Sequence, residues 1–139
     1  MDIEKLMTAL DNENNEELLN LDNKTISKMK NDILQKLGLN RKQLKEFHIK
    51  LKDYRYVDEL PDLKCGRFIR WIDLRKPDNI KLTNGSIICD IKIENDSIAI
   101  VCKNYMNRHY QFDMSNMLIF QKLTEQERII LSALDYLNK

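Results

Sequence analysis

Between Gly66 and Leu123, five short runs rich in Ile, Val, Phe, Tyr and Trp are parted by turn residues. They read G-R-F-I-R-W-I-D-L, K-L-T-N-G-S-I-I-C-D-I-K-I, S-I-A-I-V-C-K, H-Y-Q-F-D-M and M-L-I-F-Q-K-L. β-Branched and aromatic side chains suit a pleated, half-buried surface, so the stretch predicts a small antiparallel sheet that curls into a barrel. Asn84-Gly85 divides the second run into strands 80–83 and 86–94. That dipeptide signals a tight hairpin, because a type I′ turn needs positive φ at both central residues. Alternation along 86–94 predicts Ile87, Cys89, Ile91 and Ile93 on one face, with Ile88, Asp90 and Lys92 on the other.

The remaining chain predicts helices. Ile3, Leu6, Met7 and Leu10 have helical spacing, and a polar stretch at 11–17 and a Leu18/Leu19/Leu21 patch follow them. Asn23 or Thr25 can cap a second helix with the stripe Ile26, Met29, Ile33, Leu34 and Leu37, and Gly38 suits its left-handed end. Asn40 can cap a third, in which Leu44, Phe47, His48 and Leu51 share a face. Thr124 and Glu127 form a capping box ahead of the stripe Ile129, Ile130, Ala133, Leu134 and Leu137. The segments expected are an acidic arm at 1–23, a basic helical hairpin at 24–60, and the small barrel with its C-terminal helix at 61–139.

Charge is distributed unevenly. Residues 1–23 hold seven acids and one Lys, net −6, while residues 24–56 hold ten bases and three acids, net +7. A run of cations on one helical face can displace the counterions of a phosphate backbone. The candidate contacts are Lys28, Lys42, Lys45, Lys50 and Lys52. Arg67, Arg70, Trp71, Arg75 and Lys76 form a second candidate surface, where an exposed ring beside guanidinium groups would suit base stacking. Two plainer readings stand beside these: a solvated helix face whose charge the acidic arm offsets, and a Trp71 that belongs to the core.

Catalytic chemistry finds little footing. The two histidines, His48 and His109, have no Cys or His at metal-ligand spacing, and the three glycines are isolated, so no phosphate-binding loop exists. Cys65, Cys89 and Cys102 lack close pair spacing, and the latter two lie in apolar strand runs as core residues would. No cofactor or metal is expected. Residues 1–10 carry Asp2 and Glu4 where a signal peptide would be apolar, so an intracellular protein with reduced thiols and no membrane span is expected.

The five runs followed by a capped helix resemble an SH3-like small barrel, the architecture of Tudor, chromo-barrel and Sm-like modules. The fold class expected is therefore α+β: a five-stranded antiparallel SH3-like barrel, an N-terminal helical hairpin and a C-terminal helix. A Tudor-like aromatic cage would draw on Trp71, Tyr105, Tyr110 and Phe112. The wording G-R-F-I-R-W-I-D-L-R-K-P-D-N-I-K-L-T-N-G-S-I-I-C-D-I-K-I also resembles uncharacterised proteins of the giant nucleocytoplasmic DNA viruses, such as the Marseillevirus-like group. That resemblance implies a place in host cytoplasm, the viral factory or the virion. Two functions are expected to compete: a non-enzymatic module binding DNA, RNA or chromatin-like material, and a structural protein that self-associates, as a dimer, through its amphipathic helices.

Overall fold

A computed structural model describes residues 2–12 and 21–137. The Leu18/Leu19 patch and most of the polar stretch before it lie outside the described residues. The fold is α+β. Helices α1 (Ile3–Asp11), α2 (Asn23–Gln35) and α3 (Arg41–Lys50) precede strands β1 (Tyr54–Val57), β2 (Phe68–Asp73), β3 (Ser86–Glu94), β4 (Ser97–Lys103), β5 (His109–Asp113) and β6 (Met117–Lys122), and α4 (Glu125–Leu137) ends the chain. All strand pairs are antiparallel, in the order β1-β6-β2-β3-β4-β5.

This is an open six-stranded sheet, where a closed barrel of five strands was expected. The extra strand is β1, which pairs Tyr54 with Lys122 and Val57 with Ile119. Its sequence, Y-R-Y-V, sits between a helix end and Pro61 and is too short to announce itself. β1 and β5 remain the two edges.

The Asn84-Gly85 corner also departs from expectation. It does not join a two-stranded hairpin, since both flanking runs pair with β2: Leu82 bridges Ile72, and Ser86 and Ile87 face Ile69 and Phe68. Gly85 has φ +99°, and a Cβ there would lie 2.6 Å from the Ile69 carbonyl oxygen. The glycine is needed for close backbone approach beside β2 rather than for a type I′ turn.

A bulge between Ile88 and Asp90 resets the sidedness of β3. Ile88 is buried opposite Cys102 and Ile91 pairs with the buried Ile100, while Ile87 and Cys89 are exposed. One extra residue in a strand of period two moves every later side chain to the other face.

Bent in this way, the sheet packs on itself. Val57, Ile69, Trp71, Ile88, Ile100, Cys102, Phe112 and Ile119 form one core. The outer face of β1, β6 and β2 forms a second core, in which Tyr54, Ile72, Leu118 and Phe120 meet Leu34 of α2, Phe47 of α3 and Leu51 just after it. A third joins Ala9 of α1, Ile26 of α2, Leu123 just after β6, and Ile130 and Leu131 of α4. The stripes of α2 and α3 thus cover the sheet instead of awaiting a partner. Each fully buried Leu, Ile or Phe contributes roughly 1.5–3 kcal/mol.

The helix ends follow local chemistry. Asp22 caps α2 by accepting from the Thr25 N–H at 2.7 Å, in place of the expected Asn23 or Thr25. Asn40 and Gln43 form a capping box on α3, and Gly38, at φ +67°, turns the chain between the two helices. At α4, Thr124 Oγ1 accepts from the Glu127 N–H at 3.1 Å while Glu127 Oε1 accepts from the Thr124 N–H at 2.9 Å, as the sequence predicts.

Candidate nucleic-acid interface

The packing of α2 and α3 on the sheet sets the rotation of both helices and so sorts their cations. At about 100° per residue, a helix that turns Leu44, Phe47 and Leu51 inward turns Lys42, Lys45 and Ile49 outward. Lys42 and Lys45 are exposed, with Arg41 and Lys52 beside them and Lys24, Lys28 and Lys36 exposed on and after α2. Two of the ten bases are not at the surface. Arg55 is buried, and Lys30 Nζ donates to the carbonyls of Leu51 at 2.7 Å and Tyr54 at 3.0 Å. Burial pushes the Lys30 ammonium below its usual pKa, and Asp53 opposes that shift. Lys30 therefore joins α2 to the end of α3 and the start of β1 and has no role toward a ligand.

Lys28 pairs with Asp32 at 3.1 Å and Lys50 with Glu46 at 2.8 Å, both across one helical turn and both exposed. Such pairs contribute a few tenths of a kcal/mol and yield to an incoming phosphate. Among the described residues, no ion pair engages Lys24, Arg41, Lys42, Lys45 or Lys52. The acidic helix α1 packs chiefly on α4, in the same core as Ile26 of α2. It packs against α4 through Ala9, a Lys5–Glu125 pair at 3.3 Å and a hydrogen bond from Asn12 to Gln126 at 2.9 Å. Asp2, Glu4 and Asp11 are therefore on the α4 side of the molecule.

The second surface read from the sequence does not assemble. Arg67 is half-buried, paired with Glu127 and donating to the Lys122 carbonyl at 2.6 Å. Arg70 Nε donates to the Thr83 carbonyl at 2.8 Å. Arg75 is committed to Asp73 through two contacts of 3.0 Å, which hold the Asp73 carboxyl below its ordinary pKa. Lys76 is exposed. Trp71 is 8% exposed, with its ring 4.8 Å from Phe112 and 6.1 Å from Tyr110. Trp71 and Phe112 are packed core, Tyr110 lies at their edge and is 41% exposed, and Tyr105 is not among these ring contacts.

The contacts named from the sequence leave out Lys24 and Arg41, which belong to the exposed basic face, and Tyr105, read there as part of a cage, is 95% exposed. A cleft of about 410 Å³ is lined by Val57, Leu74 and Met117 and rimmed by Asp58, Asp96 and Asp113. Its charge would repel phosphate. Of the three thiols, Cys102 is buried and its pKa is pushed up to about 12, whereas Cys65 and Cys89 are exposed, against the core reading of Cys89. Among the described residues, no three His, Cys, Asp or Glu side chains converge to hold a metal ion, and no helix is long and apolar enough to cross a membrane. Comparisons with protein-family models, with curated proteins and with solved structures gave no match to this chain.

Proposed function

We propose that this is a non-enzymatic nucleic-acid-binding module that engages backbone phosphates through the α2–α3 face. The observation that carries the reading is the set of exposed cations Lys24, Arg41, Lys42, Lys45 and Lys52, which no ion pair engages among the described residues, with acidic α1 packed chiefly on α4. Lys28 and Lys50 add to the set once their weak surface pairs open. The ligand is read by charge: Phe47 and Tyr54 are buried, so the face offers no fully exposed ring to a base. The test is a titration against DNA and RNA at low and moderate salt. Four phosphate contacts predict that affinity falls about 100-fold between roughly 50 and 200 mM salt. Lys42→Glu/Lys45→Glu/Lys52→Glu should abolish most of the binding and flatten the salt dependence. Absent or salt-insensitive binding by the wild type rejects the reading.

One observation favours self-association as a second reading. Ile3, Met7 and Leu10 are 71%, 56% and 46% exposed along one side of α1. Light scattering that finds a monomer over a wide concentration range rejects it.

A further inference from the structure

The β4–β5 connection, residues 104–108, projects a ring into solvent from a backbone that is held firmly. Tyr105 is 95% exposed and Met106 58%. A single exposed apolar side chain is ordinary on its own, but this one sits on an ordered mount. Asn104 Oδ1 accepts from the N–H groups of Met106 at 2.9 Å and Arg108 at 3.0 Å. The Asn104 N–H donates to the Arg108 carbonyl and the Asn107 N–H to the Asn104 carbonyl, each at 3.0 Å. Asn107 takes φ +60°, a conformation Asn tolerates, and Asn104 Nδ2 reaches the Tyr110 hydroxyl at 3.4 Å. The Tyr110 ring in turn rests against Trp71 of the core at 6.1 Å. A ligand meeting Tyr105 would therefore pay little to order the loop that carries it.

The charge around the tip selects the kind of ligand. No acid occurs from Ser97 to Phe112, while Lys103, Arg108 and His109 are all exposed there. Lys103 and His109 face each other across the β4–β5 pair, at the base of the loop. An exposed ring on a hydrogen-bonded loop, with cations on both sides, meets the two demands of an unpaired nucleotide, a surface for its base and a countercharge for its phosphate. The α2–α3 face meets only the second demand and so cannot tell a single strand from a duplex.

We propose that Tyr105, with Lys103, Arg108 and His109, forms a stacking platform for unpaired bases, which makes single-stranded nucleic acid the preferred ligand class. The inference rests on the phosphate-binding reading of α2–α3. Binding of the full chain to a labelled single-stranded oligonucleotide, and to a duplex of equal length, tests it in wild type, Tyr105→Ala, Tyr105→Phe and the triple α3 charge reversal. Tyr105→Ala should weaken single-strand binding about tenfold or more, Tyr105→Phe should retain it, and duplex binding should change less than about twofold. Tyr105 makes no core contact, and Trp71 emission confirms that each variant is folded. Single-strand affinity unchanged in Tyr105→Ala, while the α3 reversal still weakens binding, overturns the platform alone. Equal losses on single strand and duplex also overturn it. No binding of either oligonucleotide by the wild type removes both readings.

Discussion

At the scale of single residues, three positions have roles that their type alone does not reveal. Gly85 marks a turn in the sequence and a close approach in the structure. Gly85→Ala must accommodate both φ +99° and a Cβ 2.6 Å from the Ile69 oxygen. It should destabilise the fold by about 2–4 kcal/mol, read from denaturant unfolding followed by Trp71 fluorescence. An unchanged midpoint would show that the backbone at this corner relaxes freely. Lys30 was counted with the basic segment but serves two buried carbonyls, which no spacing rule reports. His48 lies 3.1 Å from Asn31 Oδ1, and burial together with the Lys30 charge holds its pKa below 6.5. A group with its folded pKa depressed stabilises the fold above the unfolded pKa, and that contribution is lost as pH falls through the folded value. Stability should therefore decline as pH drops below about 6.5, and His48→Gln should reduce that slope. A variant with the wild-type slope between pH 7 and 5 would remove His48 as its source.

Among the elements, those that were legible in the sequence carry their signal locally. Thr124-Glu125-Gln126-Glu127 forms its capping box within one turn and Asn40 is legible as the cap of α3, so neither needs tertiary knowledge, although the sequence reading leaves out the part of Gln43 beside Asn40. β4, β5 and β6 were equally plain from their bulky residues. What stayed hidden depends on partners distant in the chain. β1 exists because β6 offers it an edge, and the bulge in β3 exists because the sheet must bend over its own inner face. Alternation could not place Ile88 inside and Ile87 outside without knowledge of that extra residue. Glu127 joins the two levels, since it closes a local box and also pairs with Arg67, 60 residues away. Glu127 is 3% exposed, so removing its charge leaves a half-buried guanidinium without its carboxylate. Glu127→Gln keeps the geometry of the cap and should still lower stability by about 2–3 kcal/mol, less than for a fully buried pair because Arg67 keeps some solvent. A loss near the few tenths typical of a surface pair would show that the cap, and not the ion pair, is the important contact.

For the molecule as a whole, the sequence predicted charge asymmetry but could not place it in space. Net charges of −6 and +7 in adjacent segments suit two arrangements, an arm folded over the basic hairpin or an arm held apart. The described part of the arm is held apart, because Leu6 and Ala9 pack with Ile130 and Leu131 of α4, and Lys5 pairs with Glu125. The candidate site was legible to a similar degree: the α3 lysines could be read from the sequence, but the dispersal of Arg67, Arg70 and Arg75 follows from sheet register. The placement of α1 makes a prediction about binding. Exposed charges separated by more than about 10 Å are largely screened at 0.1 M salt. Neutralising Asp2, Glu4 and Asp11 together as Asp2→Asn, Glu4→Gln and Asp11→Asn should change affinity for an oligonucleotide by less than about threefold at that salt. Asn remains a good helix cap, so α1 keeps its start at residue 2. If the arm instead competed with phosphate for the α2–α3 cations, the same variant would bind tenfold or more tightly, and its salt slope would steepen as further cations became available. The direction of that one change separates a basic face that α1 leaves open from one that α1 can close.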